Sequence, residues 1–196
     1  FNTKVVDVES YAVSRSHDLC LSQLPDDAAD KTVAIIDIGA TMTLFSVTRA
    51  GKHLYSRDQM FGGEQYTRSI VSYYNKSFEA AEEAKITNDL PPNYTFEVLA
   101  PFHTVLIQQV RRAIQMFLTT SGADKVDYIL VSGGTAAIEG VEKLLIDELG
   151  IHTVIANPFN AMTLGPSINE NELAKVAPQL TVATGLALRS FTPWHI

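Results

Sequence analysis

The chain has 196 residues, 46% of them hydrophobic and 19% charged, an ordinary balance for one sizeable core or for one domain carrying a small insert. Its net charge of −7, from 22 acids and 15 bases with no basic stripe, argues against nucleic acid or anionic lipid as a partner. A single cysteine, Cys20, rules out an intramolecular disulfide and fits a reducing compartment.

The longest apolar runs, at 33–36 and 128–131, are too short to cross a bilayer, and no signal peptide is expected. Because the chain opens on Phe1 and not on Met, it reads as a fragment or a processed product. A strand is expected at 3–8, then a helix at 9–21 with Val8, Tyr11, Ala12 and Leu19 along one side. The Pro- and Asp-rich stretch 24–31 reads as a linker. A continuous apolar run rich in β-branched residues predicts a buried strand at 32–38. Residues 43–49 alternate, with Thr43, Phe45 and Val47 on one face and Leu44, Ser46 and Thr48 on the other. A turn at 49–52 and a third strand at 53–58 complete an antiparallel meander.

Beyond Gly62-Gly63, the spacing of Tyr66, Ile70, Val71 and Tyr74 predicts a helix over 64–74, and a second runs over 78–87. A loop at 88–95 leads to the longest helix, 97–120, with Pro101 near its start, where the missing N–H does no harm. Its core stripe is Phe102, Leu106, Val110, Ala113, Ile114, Phe117 and Leu118. A strand at 126–132, a helix at 138–149 stopped by Gly150, a strand at 152–155 and a helix at 181–190 follow. The order implies an α/β layer fold: a mixed five-stranded sheet covered by helices, with 58–100 leaving the sheet as a small helical insert.

Four short motifs could carry chemistry. In Asp37-Ile38-Gly39-Ala40-Thr41, Gly39 permits close backbone approach, and the N–H groups of Gly39, Ala40 and Thr41 could converge on an anion. The hydroxyls of Thr41 and Thr43 could donate to phosphate oxygens, and Asp37 fits beside a phosphate if Mg²⁺, held through water, lies between them. The same residues also fit a plain hairpin turn. Ser132-Gly133-Gly134-Thr135, between a strand and a helix, would let a flat ligand lie against the backbone, or is simply a glycine-rich turn. It matches neither the dinucleotide fingerprint nor the Walker A loop. Gly62-Gly63-Glu64 serves as a hinge, a ligand approach or a helix entry. Glu82 and Lys85 share a helix face and could reach a ribose hydroxyl and an adenine edge, or form a solvated pair. The histidines, His195 among them, are scattered without zinc spacing, Cys20 reads as structural, Arg111-Arg112 as a solvated helix face, and Tyr73-Tyr74 with Phe78 as packing between insert helices.

Taken in order, the hairpin "DIGATMT", the Gly-Gly helix start, the helix with Glu82 and Lys85, the "ILVSGGTAAIEGV" turn and the final small-residue helix resemble the second half of the actin-like ATPase fold, a ribonuclease H-like architecture. Within it, "VVDVESYAV", "FGGEQYTRSI", "VDYILVSGGTAAIEGV", "ANPF" and "GLALRSF" resemble the PilM family of type IV pilus assembly proteins, related to the cell-division protein FtsA, over 4–191.

The resemblance implies ATP or ADP with Mg²⁺ in a cleft between two similar halves. Asp37, Gly39, Ala40, Thr41 and Thr43 would match the second phosphate loop. Gly62, Gly63, Glu82 and Lys85 would match the side that holds ribose and base, and Gly133, Gly134, Thr135 and Ile138 the adenosine turn. Asp37 would be the metal-side carboxylate and the candidate to orient attacking water. Residues 1–57 and 101–196 would form subdomain 2A and 58–100 subdomain 2B. Only one phosphate hairpin is present, so the missing N-terminal half would supply the other, and ATPase activity is expected to be weak or absent. The family implies a cytoplasmic scaffold, peripheral to the bacterial inner membrane, that binds the N-terminal cytoplasmic tail of PilN and couples it to pilus motor ATPases in fimbrium biogenesis and twitching motility. The tail groove is expected mostly outside this chain. Two other readings are a structural interaction domain with a vestigial nucleotide site, and a kinase or phosphatase of the same superfamily, for which this half shows no placed base.

Overall fold

The computed structural model describes residues 2–191 apart from Lys4, Asp26, Asp27 and Glu139. One residue of the expected first strand, two of the linker, one of the expected helix at 138–149, and His195 therefore lie outside the described residues.

The apolar run Val33–Ile38 forms β1, and Asp37 is its one residue that is not fully buried. It pairs antiparallel with β2 (Thr43–Arg49), which pairs antiparallel with β3 (Lys52–Gln59). On its other side β1 runs parallel to β4 (Tyr128–Ser132), and β4 runs parallel to β5 (His152–Ile155). The result is the expected mixed five-stranded sheet, in the order β3-β2-β1-β4-β5. A central strand covered on both faces has no solvent side, which is why β1 carries no polar alternation. β3, at the edge, has no fully buried residue, and it alternates between exposed and half-buried only from Lys52 to Ser56.

Seven α-helices surround the sheet among the described residues: α1 (Glu9–Cys20), α2 (Gly63–Tyr74), α3 (Phe78–Thr87), α4 (Ala100–Ser121), α5 (Val141–Leu149), α6 (Glu170–Val176) and α7 (Thr181–Leu188). One sheet face packs Ala34, Ile36 and Ile38 against the α4 stripe, and the same core reaches Tyr66 and Ile70 of α2 and Ala81 of α3. The other face packs Val33, Ile35 and Leu130 against Val13 and Cys20 of α1. None of these helices is long and apolar enough to cross a membrane.

Four expectations are corrected. Residues 5–8 pair with no strand; Val8 is extended and leads directly into α1. The buried side of α1 is Ser10, Ala12, Val13, Ser16, His17 and Cys20, while Val8 and Tyr11 are exposed. The reason is α7: a Cβ built on Gly185 would lie 1.8 Å from the Ala12 carbonyl oxygen, so two small residues let the helix backbones touch. The helix expected from 138 begins at Val141, because Gly133 (φ +86°) and Gly140 (φ +84°) bracket a tighter turn at Gly134–Ala137. α6 was not foreseen, and a π-helical turn, Thr95–Leu99, precedes α4.

Candidate functional site

The β1–β2 hairpin closes through the Gly39 N–H, which donates to the Met42 carbonyl at 2.9 Å. Ala40, Thr41 and Met42 at its tip are exposed. The amides of Ala40 and Thr41 donate to no group among the described residues. Two of the three expected amides therefore stand open, and that of Gly39 is used within the turn. Thr43 is a correction: it is buried, and its hydroxyl donates to the Phe61 carbonyl at 2.7 Å, bracing β2 to the segment that enters α2.

Gly62 and Gly63 are buried, and their lack of a side chain lets α2 press on the hairpin. The Gly63 N–H donates to the Gly39 carbonyl (3.0 Å) and the Glu64 N–H to the Ala40 carbonyl (2.8 Å). A Cβ on Gly62 would sit 2.3 Å from the Ala40 oxygen, and one on Gly63 2.6 Å from the Thr135 hydroxyl.

The turn after β4 grips the same hairpin. A Cβ on Gly133 would lie 2.4 Å from the Ile38 oxygen, and its left-handed backbone suits glycine. The Thr135 hydroxyl donates to the Gly39 carbonyl at 3.2 Å. Gly134 differs: it is exposed, and an added Cβ would meet nothing within 4 Å.

Asp37 stands opposite Ser132 in the parallel ladder, and the Ser132 hydroxyl donates to its Oδ2 at 2.7 Å. Burial pushes the Asp37 carboxyl above its ordinary range; the Ser132 hydrogen bond opposes this, and the Glu9 carboxylate adds to it. Among the described residues no basic side chain pairs with it. Glu9, at the start of α1, is thus a second acid near the hairpin that the sequence motifs did not flag.

Glu82 and Lys85 do share a face, but they hold each other. The Lys85 ammonium donates to Glu82 Oε1 at 2.6 Å and to the Thr67 hydroxyl at 2.8 Å, tying α3 to α2. Burial alone would raise the Glu82 carboxyl; Lys85 and the Thr67 hydroxyl hold it below the usual range. Lys85 still borders a cleft of about 650 Å³. Ile86, Gly134 and Ile138 line it too, with Tyr66 of α2 and Tyr94. Another wall is formed by α6 and the residues after it, including Glu172, Lys175, Pro178 and Gln179. That wall had a sequence signal: Asn169 caps α6 by accepting from the Asn171 and Glu172 amides, and Glu172 stands three residues after it.

A protein-family model described as type IV pilus assembly protein PilM matches residues 1–191. The chain belongs to the PilM family of type IV pilus assembly proteins. A solved PilM–PilN type IV pilus biogenesis complex superposes with a TM-score of 0.81 at 28% identity, covering 96% of this PilM-family chain and 53% of the other. MreB5 of Spiroplasma citri bound to ADP superposes with a TM-score of 0.61 at 17% identity, covering 94% and 59%. The cell shape-determining protein Mbl of Bacillus subtilis (strain 168) is 21% identical, over 72% of this chain and 53% of Mbl. The fold is that of the actin-like ATPases, and the chain spans about half the length of the relatives it matches.

Proposed function

We propose that this chain forms one side of an ATP-binding cleft in an actin-like cytoplasmic scaffold of type IV pilus assembly. The observation that carries the reading is the exposed hairpin tip. Its Ala40 and Thr41 amides have no protein acceptor among the described residues, and it is tied by Thr135 to the turn that borders the 650 Å³ cleft. Open backbone amides at a turn tip can bind phosphate where they converge on it. The tip would take the phosphates, Lys85 would stand near the ribose, and the cleft would seat the base. Asp37 fits Mg²⁺ held through water: it is a largely buried carboxylate with no basic partner among the described residues, and a divalent cation would supply the missing positive charge. A bound Mg²⁺ would neutralise phosphate charge, and Asp37 would orient its water shell.

The opposing phosphate turn would come from the half of the relatives' length that this chain does not span, so this chain alone is a weak ATPase or none. Residues 58–100 would act as insert 2B and the rest as 2A. The likeness to a PilM–PilN complex supports PilN as partner; in this reading the bound segment would be its N-terminal cytoplasmic tail, which would attach the scaffold to the inner membrane, with motor ATPases coupled onward.

A second reading, an interaction domain with a vestigial site, is favoured by one fact: the Gly39 amide, Thr43, Glu82 and Lys85 already have protein partners. Calorimetric titration of Mg·ATP into the full-length protein, with Asp37→Ala as control, decides between them. Binding that the substitution weakens supports the nucleotide site; absence of heat supports the interaction domain.

A further inference from the structure

Tyr66, on α2, is 3% exposed, and its ring stacks on Phe102 with centroids 5.3 Å apart. That stack fixes the ring in the core. Its hydroxyl makes no hydrogen bond with any described residue and, unlike the ring, is not sealed in the core, so it is open to a partner from outside the chain. Tyr66 also lines the 650 Å³ cleft, so the missing partner is to be sought on the cleft side. Around it the walls are largely apolar, with Leu99, Ala136, Ile138 and Ile155 among them. A concave site of this kind, with few polar groups, suits a flat heteroaromatic ring whose orientation is set by one or two hydrogen bonds.

We propose that Tyr66 reads the base, its O–H donating to a ring nitrogen of the purine seated in this cleft. The inference rests on the nucleotide reading above and adds to it a specificity-determining residue outside the two glycine turns. Burial also pushes the Tyr66 phenol up to about 12, so it remains a donor at any working pH.

Tyr66→Phe keeps the ring and its stack and removes only the donor, so the fold is expected to hold. The test titrates Mg·ATP and Mg·tripolyphosphate into the wild-type protein and Y66F, with a thermal melt of each in the absence of ligand. Loss of one hydrogen bond weakens ATP about five- to tenfold. Tripolyphosphate, which has no base, binds both proteins equally, and the ligand-free melt of Y66F is no lower than that of wild type. Equal ATP affinity in Y66F overturns the inference and leaves the nucleotide site standing; wild-type protein that binds no ATP overturns both. Equal losses for ATP and tripolyphosphate also overturn the inference, because the effect is then not on the base. A second arm needs no variant: of 1-deaza-, 3-deaza- and 7-deaza-ATP, one must bind wild-type protein more weakly than ATP, and uniform affinity overturns the inference.

Discussion

The Thr135 hydroxyl donates to the Gly39 carbonyl across 3.2 Å, so the turn after β4 holds the β1–β2 hairpin from behind. The same carbonyl accepts from the Gly63 N–H at 3.0 Å. Two elements distant in sequence thus fix one peptide group, and the tip beyond it stays exposed. Holding a loop in place before its ligand arrives lowers the ordering cost of binding. Thr135→Val keeps the shape and removes the donor; loss of that one bond should weaken Mg·ATP about fivefold. Calorimetry measures this, and amide exchange at 39–42 should quicken in the variant. Unchanged affinity and exchange would show that Gly63 alone suffices.

Gly134 separates the demands of the fold from those of a ligand. An added Cβ there meets no protein atom within 4 Å, whereas at Gly133 it would meet the Ile38 backbone at 2.4 Å. Gly134→Ala should therefore melt within a degree or two of wild type, as an open surface position does. It should still weaken Mg·ATP severalfold, because the methyl intrudes on the cleft. Full ATP affinity in this variant would mean that no ligand lies against the turn.

Gly185 is the opposite case. A Cβ there would lie 1.8 Å from the Ala12 carbonyl oxygen, a backbone atom that cannot swing aside. Gly185→Ala must push α7 off α1, at about 2 kcal/mol for overpacking. For a chain of this size that lowers the melting temperature by about 4–8 °C. Gly165→Ala, where an added Cβ meets nothing within 4 Å, is the control. Differential scanning calorimetry of the two variants compares them directly.

The α1–α7 contact also shows why some of this fold was illegible in the residues. β1 could be read because it is apolar over nearly its whole length, and the short turns at 39–42 and 49–52 leave room only for an antiparallel meander. The face of α1 could not, since a helix that docks through Ala12 and Gly185 has no large apolar stripe to reveal it. Val5, Val6 and Val8 have strong β propensity, yet a strand needs a neighbour, and none is present among the described residues. The site divides in the same way. Lys85, Gly134 and Ile138 border the cleft, while Gly62 and Gly133 meet another stretch of backbone and Gly63 meets the Thr135 hydroxyl. Sequence pattern cannot tell a glycine that admits a ligand from one that admits its own chain. Tyr66 keeps core spacing with Ile70 and reads as packing, which is true of its ring and incomplete for its hydroxyl.

The charge state of Asp37 gives the sharpest pH prediction. Burial raises its carboxyl above the ordinary 3.8, Glu9 adds to the rise, and the Ser132 hydroxyl offsets only part of it. The folded protein therefore holds this proton more tightly than the unfolded chain does. The stability contributed by the site is fully present below 3.8 and is lost as pH rises through the raised value. Asp37→Asn removes that loss, so it should resist urea better than wild type at pH 8, with the gap closing in acid. Mg·ATP should reverse the order: it stabilises wild type at pH 8, where the carboxylate is ionised and can face the metal, and stabilises D37N much less. Urea midpoints of both proteins, with and without Mg·ATP, measure all of this. If Mg·ATP protects D37N as well as wild type, the metal does not depend on Asp37. If D37N is the weaker protein at pH 8 without ligand, its hydrogen bond from Ser132 outweighs the cost of burying the charge.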